Sequence, residues 1–227
     1  MKSVKNIGYK YVQISGVEVN DAKFIKDVCD KSGLKILCTH RSYDAFLNDF
    51  DSEVERHKIY DSKYAGIGCL EKQHREDKET FLKTIETLNS ISDRLKEHGI
   101  IFTYHNHAWE FSKLDNKYYM DYLLEYGRFS IMADIYWIAY AGINPAKFIR
   151  ENSGRIDCIH FKDLAVVNDS DVIYAEIGKG NLEWNEIITA CQETEVKYVL
   201  VEQDTCLTDP MECLEISHDF LATKGFN

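Results

Sequence analysis

The chain has 227 residues, 44% hydrophobic and 29% charged, which fits a globular protein with one sizeable core. Its formal net charge of −11 argues against sequence-independent binding to nucleic acid or to an anionic membrane. Seven scattered cysteines without a C-x-x-C pair, an N-terminus without an apolar stretch and the lack of any long apolar run predict a soluble cytoplasmic protein. Only two prolines and no Gly/Ser-rich linker occur, so we expect a single domain over residues 1–227.

Seven strand-like segments rich in Val, Ile, Tyr and Phe alternate with helix-like segments. The strands are predicted at Tyr9–Ser15, Leu34–Thr39, Tyr64–Leu70, Ile100–His105, Phe129–Ala133, Ile156–His160 and Tyr198–Glu202. This alternation is typical of an α/β parallel sheet and predicts a TIM (β/α)8-type barrel without its first strand. An open edge at the resulting seam favours either covering by a partner or an irregular segment, or association into a homo-oligomer.

The helices are predicted from apolar spacing and from capping residues. The segment Asp77–His98 places five apolar side chains on one face, and Gly99 ends it as a C-cap. Asn144-Pro145 and Asp209-Pro210 each open a helix, with proline at the first helical position. Asn181 is predicted to cap the helix that follows it.

Four of the strand-like segments end in side chains that bind metal ions in proteins: His105 and His107, Asp134, His160, and Glu202. Because period-two alternation lets the last residue of each strand point into the mouth of a parallel barrel, we expect these side chains to converge. Two carboxylates and an imidazole in one place suit a divalent cation such as Mn²⁺, Mg²⁺, Co²⁺ or Zn²⁺. Taken singly, Asp134 is also explained as a helix N-cap or salt-bridge partner, His160 as a core histidine, and Glu202 as the cap of a loop.

The segment FTYHNHAWEF offers further polar groups next to these ligands. Alternation places His105 and His107 on one face, so His105 is the expected fourth metal ligand and His107 a group that supports a ligand or contacts the substrate. Glu110 lies beyond the strand, where it could reach back to the metal or act as a base. The alternative is that these residues form a solvated loop.

Lys162 lies two residues after His160 and therefore shares its face of the strand. A lysine at this place offers a compact cation to a substrate oxygen or an enediolate. The alternative is a surface lysine paired with Asp163. The segment Gly178-Lys179-Gly180 is interpreted mainly as a turn, although its amides could bind a substrate anion.

With these residues in place, the chain resembles the sugar phosphate isomerase/epimerase family of xylose isomerase-like TIM barrels, in its YHNH-type branch. The matching segments are YHNHAWEF (104–111), MADIYWIAYAGINP (132–145), GRIDCIHFKD (154–163), IGKGNLEW (177–184) and VEQD (201–204). The resemblance implies a divalent-metal site at the C-terminal mouth of the barrel, with Asp134, His160 and Glu202 among its ligands. It also implies an isomerase, epimerase or related lyase that acts on a sugar or polyol.

Two features depart from the family pattern. The segment that forms the first strand in relatives is absent before the GYK entry at Gly8. In addition, His105 stands where many epimerases of the family place a glutamate that is both metal ligand and base. A symmetrical two-glutamate mechanism therefore requires Glu110 to supply the missing carboxylate.

The leading hypothesis is a metal-dependent sugar isomerase or epimerase with no nucleic-acid or membrane partner. Glu202 would remove or return a proton next to the substrate carbonyl, with Glu110 or His107 as the second acid or base. Lys162 would stabilise the negative oxygen.

The substrate-binding candidates are aromatic. Trp109 and Trp137 offer flat apolar surfaces for a sugar ring, and His40 ends a strand at the expected pocket. Two other functions stay open: a dehydratase for inosose-type substrates on the same site, and a degenerate barrel that binds a sugar or serves as a subunit without catalysis. A phosphodiesterase of the AP-endonuclease type is disfavoured by the negative net charge.

Overall fold

Strands and helices alternate along the chain, as the sequence predicts. The structure is a computed structural model that describes residues 1–226. The strands are β1 (Tyr11–Ile14), β2 (Lys35–Arg41), β3 (Tyr64–Ile67), β4 (Ile101–His105), β5 (Lys113–Leu114), β6 (Lys117–Tyr118), β7 (Ser130–Asp134), β8 (Cys158–Phe161), β9 (Asp163–Val167), β10 (Asp171–Ala175) and β11 (Tyr198–Val201). The helices are α1 (Lys2–Ile7), α2 (Ala22–Lys31), α3 (Tyr43–Asn48), α4 (Phe50–Tyr60), α5 (Lys78–Glu97), α6 (Tyr119–Tyr126), α7 (Ile135–Tyr140), α8 (Pro145–Glu151), α9 (Trp184–Glu193) and α10 (Pro210–Thr223).

The central sheet contains seven strands in the order β1-β2-β3-β4-β7-β8-β11, and each neighbouring pair is parallel. These strands coincide with the seven predicted from sequence, and the helices between them cover the sheet. The prediction of a TIM-type barrel with seven of its eight strands is confirmed. Because all seven strands run the same way, their carboxyl ends meet at one mouth.

The longest helix follows its predicted pattern. Asp77 accepts a hydrogen bond from the Thr80 amide at 2.8 Å and caps α5. Gly99 follows the helix with a positive φ of 74°, a conformation that glycine adopts without steric cost. The five apolar side chains of the predicted face are all buried: Phe81, Ile85, Leu88, Ile91 and Leu95.

Of the three other predicted helix starts, two are confirmed and one is wrong. Asn144 and Asp209 cap α8 and α10, each with proline at the first helical position, as predicted. The capping role predicted for Asn181 is wrong, because α9 begins at Trp184 and the Asn181 side chain accepts a hydrogen bond from the Val166 amide at 2.7 Å. Asn181 instead ties down the antiparallel hairpin β9–β10, which the sequence reading did not assign.

Side chains fill the space enclosed by the strands. The buried residues of this inner cluster are Leu37, Cys38, Tyr64, Met132, Cys158 and Leu200. Two of them are cysteines in the role of small hydrophobes, and all seven cysteines of the chain are free. Within residues 1–226, none of the helices has the length and apolar character that crossing a membrane requires.

The seam of the barrel lies between β1 and β11, the two ends of the sheet. Across it, the rings of Tyr11 and Tyr198 contact each other edge to face, with centroids 5.5 Å apart. The Tyr9 hydroxyl donates a hydrogen bond to the Leu214 carbonyl of α10 at 3.0 Å. A cavity of about 550 Å³ follows the seam and is lined by both strands and by α1 and α10. Side chains and helices therefore cover the gap left by the eighth strand.

The buried face of α5 generates a stability prediction. Leu88→Ala removes a side chain with no exposed surface, and we expect the free energy of unfolding to fall by about 2–5 kcal/mol. Ser90→Ala, on the exposed face of the same helix, is the control and should change it by less than about 0.5 kcal/mol. Urea denaturation measures both, and equal effects would contradict the packing of this face.

Candidate metal centre

Four strand ends bring together the four side chains that the sequence assigns to a metal. One potential ligand atom from each lies within 4.8 Å of the others in the group His105, Asp134, His160 and Glu202. The first three are 3%, 0% and 1% exposed, whereas Glu202 is partly open to the mouth. The register of β7 with β8 places Asp134 directly beside His160. Imidazoles and carboxylates turned toward one point and removed from water have the chemistry of a divalent-cation site.

The atoms of this cluster contact one another closely. Asp134 Oδ2 lies 3.3 Å from His105 Nε2 and 3.9 Å from His160 Nδ1. His160 Nδ1 also contacts Glu202 Oε2. His160 Nδ1 and Glu202 Oε2 are both buried, and neither makes a hydrogen bond of acceptable geometry. The donor set therefore fits a cation, which would satisfy the lone pairs of all four side chains.

Asp134 caps a helix with one carboxylate oxygen and faces the cluster with the other. Its Oδ1 accepts a hydrogen bond from the Trp137 amide at 3.1 Å and caps α7, while its Oδ2 faces the cluster. Its backbone amide donates to the Asn106 side chain at 2.9 Å. The carboxylate is therefore held in place from two directions.

The orientation of His105 is set by a backbone carbonyl. His105 Nδ1 lies 3.1 Å from the carbonyl oxygen of Gly68. Because a carbonyl oxygen only accepts hydrogen bonds, Nδ1 carries the proton and Nε2 presents its lone pair to the cluster. Such support of a potential ligand is typical of metal sites.

The pKa values in the cluster reflect the close pairing of carboxylates with basic side chains. Burial by itself would raise the pKa of Glu202, but the neighbouring His160, His105 and Lys162 hold it well below its usual range. Burial by itself would lower the pKa of His160, but the charges of Glu202 and Asp134 outweigh it and raise the pKa. Both directions indicate that the carboxylates and the basic side chains stabilise one another's charged forms.

Lys162 is a buried cation beside the cluster and is 1% exposed. Its Nζ lies 2.8 Å from Asp204 Oδ2, 3.5 Å from Glu202 Oε1 and 3.8 Å from Asp134 Oδ2. Burial opposes its charge, but these carboxylates outweigh burial and raise the pKa of the ammonium group. The alternative of a surface lysine paired with Asp163 does not match this placement.

An aromatic wall formed by Tyr136, Trp137 and Tyr174 surrounds the same lysine. Its Nζ lies 5.5, 5.2 and 4.9 Å from the centroids of the three rings, in that order. Tyr136 and Trp137 belong to α7, and Tyr174 belongs to the β9–β10 hairpin. The hairpin therefore forms part of this aromatic wall. The wall and the ligand cluster together border the pocket at the barrel mouth, and Trp137 lies there, as the sequence suggested.

Asp163 organises the turn that the sequence singled out. Its Oδ2 accepts hydrogen bonds from the amides of Gly178 at 2.9 Å and Gly180 at 3.1 Å and from the Trp184 indole at 2.6 Å. A Cβ on Gly180 would collide with Asp163 itself, so the close approach requires glycine. The two amides are engaged internally and are not available to a substrate anion.

His107 and Glu110 occupy different positions around the pocket. The His107 ring lies 4.8 Å from the His105 ring and 5.4 Å from Trp137, and its buried Nδ1 has no hydrogen-bond partner within the described chain. Burial and the nearby His105 lower the pKa of His107 to about 4.

Glu110 is fully buried and accepts hydrogen bonds from the Tyr104 hydroxyl at 3.0 Å and the His107 amide at 2.7 Å. Burial raises the pKa of Glu110 to about 8. Its carboxyl group thus braces the chain after β4 and is not part of the four-ligand group.

His40 and Trp109, the remaining candidates for substrate binding, lie in different places: one beside the ligand cluster and one away from it. The His40 ring lies 4.8 Å from the His105 ring and 5.4 Å from the His160 ring, inside the pocket. Burial, together with those two histidines, lowers the pKa of His40 well below its usual value. Trp109 instead packs against the Arg75 guanidinium at 3.8 Å and against other aromatic rings. None of these partners of Trp109 belongs to the ligand cluster.

Sequence reasoning missed four residues of the pocket: Gln13, Tyr136, Tyr174 and Asp204. Asp204 follows Glu202 by two residues, the same spacing that identified Lys162, so that signal was present. Gln13 lies one residue before the end of β1, so a polar residue near a strand end was a similar signal. Tyr174 had none, because its hairpin was not predicted.

Comparison with known proteins agrees with this architecture. The family described as Xylose isomerase-like TIM barrel matches residues 1–222. No curated protein sequence shows significant similarity to the chain. A sugar phosphate isomerase/epimerase from Parabacteroides distasonis ATCC 8503 superimposes with a TM-score of 0.78 at 20% identity, over 97% of this chain and 88% of that one.

Two further solved structures have similar folds. A D-psicose 3-epimerase in the presence of D-fructose has a TM-score of 0.73 at 13% identity, over 98% of this chain and 90% of that one. A xylose isomerase-like TIM barrel protein from Mycobacterium smegmatis in complex with magnesium has a TM-score of 0.72 at 10% identity, over 98% and 85%. At these identities the similarities establish the fold alone. Together with the match over residues 1–222, they show that the chain belongs to the xylose isomerase-like TIM barrel family.

Proposed function

We propose that the protein is a divalent-metal-dependent sugar isomerase or epimerase that transfers a proton next to a carbonyl at the barrel mouth. The observation that carries this proposal is the convergence of four ligand-type side chains from four strands, next to the buried ammonium group of Lys162. The names of similar structures, which include sugar isomerases and epimerases and a magnesium complex, support the same reading.

The proposed metal ligands are His105, Asp134, His160 and Glu202. Two nitrogen and two oxygen donors suit Mn²⁺, Mg²⁺, Co²⁺ or Zn²⁺. A bound divalent ion would polarise a hydroxyl-carbonyl pair of the substrate and acidify the C–H bond between the two oxygens.

Glu202 is the proposed proton carrier on one side of the substrate. It is the most exposed member of the cluster, and its carboxylate is the group that can accept a proton from a substrate at the mouth. His107 is the proposed carrier on the other side. Its lowered pKa keeps the ring neutral at neutral pH, and its Nδ1 has no partner within the described chain. Glu110 acts through His107 by holding its backbone amide.

Lys162 is the proposed source of positive charge for an oxygen that becomes negative during the reaction. Asp204 and the aromatic wall hold its ammonium group in one place, so little reorganisation is needed when charge develops. The faces of Trp137 and Tyr174 provide the apolar surface that the C–H face of a sugar requires.

We further propose that the substrate carries no phosphate. TIM barrels often bind phosphate through the loops after the seventh and eighth strands. In this chain β8 is the sixth strand of the sheet and corresponds to the seventh strand of a complete barrel, because the first is the one expected to be missing. The segment between β8 and α9 directs the Gly178 and Gly180 amides to Asp163, which takes the place of an anion.

Metal binding is the first test of this function. We expect the purified protein, stripped with EDTA, to bind one Mn²⁺ per chain in calorimetric titration. His105→Ala removes one donor and should weaken the affinity by more than about 10-fold. His98→Ala, at an exposed position, should leave it unchanged. A wild-type protein that binds no divalent ion after reconstitution would support the non-catalytic alternative.

The role of Glu202 is tested by Glu202→Gln, which removes the proton-accepting charge and keeps the shape. We expect kcat to fall by about 10²–10⁴-fold while measurable Mn²⁺ binding is retained. Glu212→Gln, the same change at an exposed site on α10, is the matched control. Full activity of the Glu202→Gln variant would refute the assignment.

The type of reaction is tested with a panel of free aldoses and ketoses and their phosphates in deuterated water. Proton transfer next to a carbonyl predicts that one deuterium enters the product and that no water is lost. We expect the free sugars to react faster than their phosphates. Loss of water, detected by mass spectrometry, would favour the dehydratase alternative instead.

A further inference from the structure

Gln13 contacts two of the histidines at the mouth. It lies near the end of β1, at a bulge where the register with β2 shifts between Val12 and Gln13. Its Oε1 lies 3.0 Å from His160 Nε2, and its Nε2 lies 3.2 Å from His40 Nδ1. The strand β1 pairs with β2 alone, and His160 belongs to β8 on the far side of the seam. The amide therefore joins two strands that are not neighbours in the sheet.

The direction of these hydrogen bonds follows from a fourth residue. His40 Nε2 lies 3.4 Å from the sulfur of Met132. A thioether sulfur only accepts hydrogen bonds, so His40 Nε2 carries the proton and His40 Nδ1 is an acceptor. The group of Gln13 that faces His40 must then be its NH₂, and the group that faces His160 must be its carbonyl oxygen.

The orientation of the amide decides the protonation of His160. A carbonyl oxygen accepts, so His160 Nε2 is the protonated nitrogen and donates to Gln13. In the neutral ring, the form that binds a metal ion, the lone pair is then on Nδ1, the nitrogen that faces Asp134 and Glu202. A chain of hydrogen bonds from His160 through Gln13 and His40 to Met132 thus prepares one nitrogen for an ion.

We propose that Gln13 is a positioning residue for the metal centre, which selects the Nε2-protonated form of His160 and directs its Nδ1 toward the ion. This inference rests on the proposed function, because it assigns a role toward the ion that this function requires. Hydrogen bonds to the second nitrogen of a ligating histidine orient the ring and raise its basicity, and their loss typically weakens metal affinity by about 10–100-fold.

Two variants separate the acceptor of Gln13 from its donor. Gln13→Met keeps the length of the side chain and removes both the strong acceptor for His160 and the donor to His40. Gln13→Glu keeps an oxygen acceptor for His160 and removes the donor to His40. The same two substitutions at Gln203, whose amide donates to the Thr205 carbonyl at 3.3 Å and contacts none of the cluster histidines in the hydrogen bonds described, are matched controls for size and for added charge.

Calorimetric titration with Mn²⁺, on variants shown by circular dichroism to be folded, is the first measurement. We expect Gln13→Met to bind Mn²⁺ about 10–100-fold more weakly than wild type. Gln13→Glu and Gln203→Met should stay within a few-fold of wild type, and the effect of Gln203→Glu corrects for added charge. Equal affinity of Gln13→Met and wild type would overturn the inference alone. A wild-type protein without Mn²⁺ affinity would overturn the proposed function and the inference with it.

The protonation of His160 is read directly from the wild-type protein, so the test does not depend on a variant. In the Zn²⁺-loaded protein, ¹⁵N NMR of the ring should show a protonated Nε2 and a metal-bound Nδ1. The Nε2 proton should exchange slowly with water, and exchange should be faster in Gln13→Met. Zinc on Nε2, or a proton on Nδ1, would overturn the inference.

Discussion

The balance of buried charge at the mouth of the barrel is the constraint on which the rest of the site depends. Asp134 has no exposed surface, and an isolated carboxylate in that position would be strongly destabilising. Lys162, two histidines and the first turn of α7 compensate for it. Apart from α7, which directly follows Asp134, these groups come from the ends of β4 and β8, so the charge is satisfied only when those strands have assembled beside β7. Folding and preparation of the site are therefore the same event.

Because alternate residues face opposite sides, the neighbours Lys162 and Asp163 have different roles, one at the barrel mouth and one in the turn behind it. Lys162 faces the mouth, where its ammonium group is close to the proposed reaction centre. Asp163 faces the other way and gathers the amides of Gly178 and Gly180 together with the Trp184 indole. One side chain thus serves the pocket, and its neighbour fixes the loop that carries the pocket wall. A shift of register by one residue would exchange the two and destroy both arrangements.

The strands and the four clustered residues could be predicted from the sequence because both depend on local patterns. Apolar runs mark the strands, and period-two alternation decides which end residues face inward. The interpretation was less accurate after β4, where a short 3₁₀ helix at Trp109–Phe111 turns Glu110 into the core. No local pattern records such a turn. The spacing after Glu202 marks Asp204, but the contacts that Asp204 and Tyr174 make with Lys162 depend on tertiary packing, which spacing alone does not specify.

The seam between β1 and β11 gives the barrel wall a line of weakness. A ladder of backbone hydrogen bonds resists separation cooperatively, but here the two end strands are joined by side chains, including the Tyr11–Tyr198 contact. We therefore expect transient opening of the wall to begin along this line and not at the six laddered junctions. His160 and Glu202 border the cavity beside it. Spreading of the wall would consequently change the surroundings of the cluster before it disturbed any other part of the molecule.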